Sequence, residues 1–192
     1  MGVDVGLLGR AAAMFAVTNV DDLVLLAVFF GQAAGQPGRR GELKVVTGQF
    51  LGFAAILAVS VAGALGAGLL PDGAVRWLGL LPVLLGLRAA WQALRQDDDE
   101  PPPAAGVAGI ATVCFANGGD NVGVYVPAFA ATGPAGLAGY VAVFLAGVAA
   151  WCVAGRFLAT RPGIAQVLAR WGHVLLPVVL IALGVLILIG AF

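Results

Sequence analysis

Apolar residues run through this chain in six long blocks, at roughly 6–31, 43–70, 76–94, 106–130, 135–158 and 171–191, parted by short polar or Gly/Pro-rich breaks. Each block is close to the ~20 residues that a helix needs to cross a ~30 Å hydrocarbon core. The pattern predicts an all-α, polytopic membrane protein of six transmembrane helices. The blocks use up nearly the whole chain, so residues 1–192 form one transmembrane domain with no soluble domain left over.

The most polar break, Gln96-Asp-Asp-Asp-Glu-Pro-Pro-Pro103, holds four acids and three prolines. It can neither pack nor continue a helix and reads as a solvated linker over 96–104. It divides the chain into halves at 1–95 and 105–192, and these halves are alike. Asn19-Val-Asp-Asp22 is echoed by Asn117-Gly-Gly-Asp120, both reading N-x-x-D. Gly48-Gln-Phe-Leu-Gly-Phe53 faces Gly139-Tyr-Val-Ala-Val-Phe144. Arg76-Trp77 with Leu80-Leu-Pro82 recurs as Arg170-Trp171 with Leu175-Leu-Pro177, one residue longer. Three spans per half is an odd number, so the second copy must be inverted, an architecture that sets a substrate site near the midplane. Of the ten basic residues, Arg39, Arg40, Lys44, Arg88, Arg95, Arg156, Arg161 and Arg170 flank odd-numbered loops, leaving Arg10 and Arg76 on the other side. That bias puts the odd loops in the cytoplasm and both termini outside. Trp77 and Trp171 read as interfacial anchors, and Pro82 and Pro177 as matched kinks.

Composition agrees. The chain is 61% hydrophobic and 10% charged, with a mean hydropathy of +1.01, against about 25% charged residues in a soluble domain. No basic run interleaved with aromatics suggests nucleic-acid binding. Cys114 and Cys152 fall inside apolar blocks and make neither a metal-finger spacing nor a disulfide framework. The opening Met1-Gly-Val-Asp4 lacks a positive n-region, so the first block is expected to be a retained span.

The chemistry lies in the middle of the first and fourth blocks. Thr18, Asn19, Asp21 and Asp22 stand in one; Cys114, Asn117, Asp120 and Asn121 in the other. Three ionised, unpaired carboxylates at mid-membrane would cost on the order of 8–10 kcal/mol at about 2.5–3.5 each. Arg10, Arg88 and Arg156 are placed towards span ends, so internal ion pairs are poorly supplied. Protons or a bound cation remain. Crowded carboxylates titrate as a coupled set, and a divalent cation favours their ionised forms. Metal entry then releases protons and metal exit takes them back, which is metal/proton antiport. No resident cofactor is implied; the cation is cargo. On continuous helices Thr18, Asn19 and Asp22 would share a face, as would Cys114, Asn117 and Asp120, and Gly118-Gly119 would permit local unwinding. Oxygen ligands suit calcium or manganese; a Cys114 thiolate would shift preference towards zinc or cadmium. Interhelical hydrogen bonding is the ordinary alternative for the asparagines and Gln49, a packed thiol for Cys114, and an interfacial position for His173.

Thr18-Asn-Val-Asp-Asp22, Gly48-Gln-Phe-Leu-Gly-Phe53 and the run from Phe115-Ala-Asn-Gly-Gly-Asp-Asn to Val-Gly-Val-Tyr-Val-Pro127 resemble the hallmark segments of the bacterial cadmium-resistance transporter (CadD-type) family, within the lysine-exporter-like superfamily. The resemblance covers the chain in order. It implies efflux of cadmium and related divalent cations across the bacterial cytoplasmic membrane. Carried onto this sequence, it implies a site of Asn19, Asp21, Asp22, Gln49, Asn117, Asp120 and Asn121. Thr18 and Cys114 join on spacing alone. The lipid bilayer and the metal ion are the partners implied, with a homodimer left open. Export of manganese, calcium, amino acids or organic cations is the alternative. An intramembrane aspartyl protease would need a G-x-G-D pattern where Asn117 stands, and a membrane sensor would bind without flux.

Overall fold

The computed structural model describes residues 5–34, 39–67, 69, 77–78, 80–95, 106–161, 163, 178, 181–182 and 184–189. Six helices account for most of them: α1 (Val5–Thr18), α2 (Val20–Ala34), α3 (Arg40–Ala67), α4 (Leu80–Arg95), α5 (Gly106–Asn117) and α6 (Asn121–Ala159). No strand occurs among the described residues. The linker at 96–104 lies outside them, as do His173 and most of the sixth predicted span, and the third span is seen from Leu80 onwards.

The first predicted span is broken. α1 and α2 meet at Asn19 with a bend of 57°, and together they are apolar and long enough for one broken span. At 1.5 Å per residue each half is about 21–23 Å long, so the break falls near the middle of the pair. The fourth predicted span is broken as well, with α5 ending at Asn117 and α6 starting at Asn121. α3 and the Gly136–Ala159 part of α6 are each long and apolar enough to cross a bilayer.

α6 itself turns at Gly133, whose φ of 75° is a left-handed conformation open to glycine without a Cβ clash. Ring contacts pair Tyr125 with Phe144 at 4.8 Å and Phe129 with Tyr140 at 5.7 Å. Positions that add to a constant value face one another, so the two halves of α6 fold back as an antiparallel hairpin. This matches the predicted boundary between the fourth and fifth spans.

Helix ends gather on two faces. Ala33 of α2 packs on Gly41 of α3, and both line a small cavity with Gly106 and Ile110 of α5. Arg156 near the end of α6 pairs with Glu42 of α3 at 2.9 Å. That end therefore collects Arg39, Arg40, Lys44, Arg156 and Arg161. At the opposite end Leu7 of α1 touches Gly136 and Gly139 beside the α6 turn. The sequence argument had put the first and fifth loops on a common side, and these ends do lie together.

Two glycines set the closest approach. A Cβ on Gly48 would lie 2.6 Å from Ile110, and one on Gly52 2.6 Å from the Ala111 carbonyl. α3 and α5 are thus in backbone contact, as small residues allow within a membrane. Phe15, Phe53, Tyr125, Phe129, Tyr140 and Phe144 fill the centre as one aromatic cluster.

Candidate functional site

The two breaks face each other. Asp21 and Asp22 open α2, and Asn117 closes α5. Asn117 Nδ2 donates to Asp21 Oδ2 and to Asp22 Oδ1, both at 2.9 Å. Gln49 Nε2 of α3 donates to the other Asp22 oxygen at 2.8 Å, and the Asp22 backbone N–H donates to Asp21 Oδ1 at 3.0 Å. Asp22 and Gln49 are buried, while Asp21 and Asn117 are half-buried. Four predicted residues from three helices are therefore one hydrogen-bonded unit.

The breaks also supply charge compensation of their own. A helix N-terminus carries a partial positive charge and unpaired N–H groups. Asp21 and Asp22 occupy the first turn of α2. Asp120 immediately precedes α6, its carboxylate beside the backbone N–H groups of Asp120 and Asn121. Each such placement contributes about 0.3–1 kcal/mol, and up to about 2 where partly buried. Helix ends and amide donors thus join protons and cations as ways of holding acids at this depth.

Thr18, Asn19 and Asn121 form a second, adjoining unit. Thr18 Oγ1 bonds the Tyr125 hydroxyl at 2.9 Å, and Asn19 Nδ2 donates to the same hydroxyl at 2.8 Å. Asn121 Nδ2 donates to Asn19 Oδ1 at 3.2 Å. Thr18 and Asn19 also turn back on their own helix, to the carbonyls of Met14 and Phe15 at 2.8 Å each. Trp151 Nε1 reaches across from α6 to the Asn19 carbonyl at 2.6 Å. The expected single face of Thr18, Asn19 and Asp22 is not what forms, because the chain bends between them. The continuous stripe of Cys114, Asn117 and Asp120 is likewise interrupted, since Asp120 lies beyond the end of α5.

Cys114 is buried, and its thiol lies 3.7 Å from the Gln49 carbonyl. Asp120 is close enough to act electrostatically on Asp21 and Asp22, yet it forms no side-chain bond with either. Among the described residues no three His, Cys, Asp or Glu side chains gather as a metal cluster; the unit is two carboxylates and two amides. Arg88 acts electrostatically on Asp120 from the exposed middle of α4. None of the three aspartates forms an ion pair among the described residues.

Tyr125 and Trp151 are the participants that the sequence argument missed. Tyr125 follows Asn121 by four residues and so shares its helix face, a signal that was present. Trp151 is 132 residues from the carbonyl it caps, and its apolar surroundings gave none.

Comparison with known proteins bears on what these residues serve. A family model described as "Cadmium resistance transporter" matches residues 15–191. No curated protein and no solved structure matches the chain.

Proposed function

The chain belongs to the cadmium resistance transporter family, a family of membrane transporters, and from that premise we propose that it exports divalent cations through the Asp21–Asp22 pair. The observation that carries this reading is the bridging of both carboxylates by one amide, Asn117 Nδ2, from the opposite break. An amide NH₂ offers two carboxylates a partial positive charge; a divalent cation offers the same in full. Rotating the Asn117 and Gln49 amides presents their oxygens instead. The unit then becomes an all-oxygen ligand set of two carboxylates and two carbonyl groups without any backbone change.

Asp120 is the third carboxylate in this account. It approaches the pair in another conformation, since its place at the glycine break gives it no side-chain hydrogen bond among the described residues. Protons are the counter-ion: they occupy the carboxylates when the cation leaves. The family assignment supports cadmium as the substrate. The absence of a described sulfur among the groups bonded to the carboxylates favours a second reading, manganese or calcium, which prefer oxygen. The same reading has six spans in the inner membrane as an inverted 3+3 repeat, with the Arg39 end cytoplasmic.

Purified protein in proteoliposomes, assayed for uptake of cadmium, zinc, manganese and calcium with and without a pH gradient, tests the proposal. Cadmium flux that responds to the gradient and is lost in Asp22→Asn is expected. Flux indifferent to both, in protein that remains monodisperse, overturns it.

A further inference from the structure

Away from the breaks, a groove of about 310 Å³ opens at the basic end between α2, α3 and α6. Arg39, Arg156 and Glu42 line it together with apolar side chains that include Phe30, Leu43 and Val153. Leu43 is 62% and Val153 73% exposed. α3 and the Gly136–Ala159 part of α6 are each long and apolar enough to cross a bilayer, where such exposed apolar side chains would meet lipid tails, and Arg39 and Arg156 belong to the helix ends of that face.

We propose that this groove holds one anionic phospholipid. Its phosphate lies between Arg39 and Arg156, and an acyl chain runs down over Leu43, Val46 and Val153. The charge pattern favours this occupant over a zwitterionic lipid. Arg39 precedes the first turn of α3, where its own charge adds to the partial positive charge of the helix N-terminus. Arg156 spends one N–H on Glu42 Oε1 at 2.9 Å and, with five donors on a planar fork, keeps others for phosphate. One acid against two arginines leaves the rim positive. Basic pockets between spanning helices bind anionic headgroups in this manner. A groove with fixed walls differs from a diffuse basic belt in one measurable respect: it saturates with a single lipid.

Native mass spectrometry of delipidated protein in detergent, titrated with phosphatidylglycerol or phosphatidylcholine, tests the site. The expected result is one saturable phosphatidylglycerol, bound at least about tenfold more tightly than phosphatidylcholine. Arg39→Gln/Arg156→Gln should remove that preference. Val153→Trp, which fills the groove and leaves both charges, should weaken the first phosphatidylglycerol to a similar degree. Unsaturable binding, equal affinity for the two lipids, or wild-type affinity in both variants overturns the proposal. So does displacement of the lipid by millimolar inorganic phosphate, which would make the rim a plain anion site. Conversion of dimer to monomer in the double variant with lipid binding unchanged would assign the groove to a second copy and equally overturn it.

Discussion

The two helix breaks carry the same N-x-x-D pattern but are built by different physical means. The break after Thr18 has no glycine or proline; it is held open by side chains from elsewhere. Trp151 takes the Asn19 carbonyl, and Tyr125 holds Thr18 and Asn19 together. The break after Asn117 is local. Gly118 and Gly119 turn the chain, and backbone bonds such as Gly118 N–H to the Cys114 carbonyl at 2.9 Å and Asn121 N–H to the Gly118 carbonyl at 3.1 Å close it. The remotely held break carries two adjacent, fixed acids, and the self-contained one carries a neutral bridging amide and an acid with no side-chain hydrogen bond among the described residues. On the proposed reading, fixed charge at one break and adaptable groups at the other let the pair grip a cation and still release it.

Neutralising the fixed side should have the largest effect. Asp22→Asn removes a buried carboxylate bonded to both Gln49 and Asn117, and cadmium flux in proteoliposomes should fall to background with expression intact. Asp120→Asn should also stop net transport, but leave equilibrium cadmium binding within about threefold of wild type, a separation that radiolabelled metal binding would measure. Asn117→Ala takes the donor from Asp21 Oδ2 and Asp22 Oδ1; leaving a buried acceptor unpartnered costs about 1–3 kcal/mol, and apparent cadmium affinity should weaken about tenfold. Trp151→Phe leaves the Asn19 carbonyl without its donor while preserving ring packing against Phe15. Thermal unfolding should shift by the equivalent of about 1–3 kcal/mol, with flux reduced severalfold. The smallest effect belongs to Cys114→Ser. Its thiol faces the Gln49 carbonyl, so the cadmium-over-manganese preference should stay as it is; an altered preference would bring the thiol into the ligand set.

These outcomes also mark where the sequence was readable. The N-x-x-D echo paired the two breaks but with Asp120 as the residue meeting Asp21 and Asp22, whereas Asn117 makes the side-chain bonds; Gly118-Gly119 announced an unwound segment, because glycine is a local signal for a turn. Gln49 came only with the family resemblance of Gly48-Gln-Phe-Leu-Gly-Phe53; the close contact of Gly48 and Gly52 with α5 is what brings α3 within reach of Asp22. The break at Asn19 was not readable. It lies within an apolar run of ordinary helical character, and the groups that stabilise it come from α6. The same bend undid the expected common face of Thr18, Asn19 and Asp22. Arg88 was expected towards a span end; it stands midway along α4 and acts electrostatically on Asp120, a contact that nothing in the local sequence announces.

The central claim is that Asp21 and Asp22, with the amide oxygens of Asn117 and Gln49, make the cation's first coordination shell. Cadmium-edge X-ray absorption on purified protein loaded with one equivalent of metal reads that shell directly. An oxygen-only shell in the wild type that is lost in Asp21→Asn/Asp22→Asn is the predicted result. A sulfur neighbour, or a spectrum unchanged in the double variant, would contradict the account.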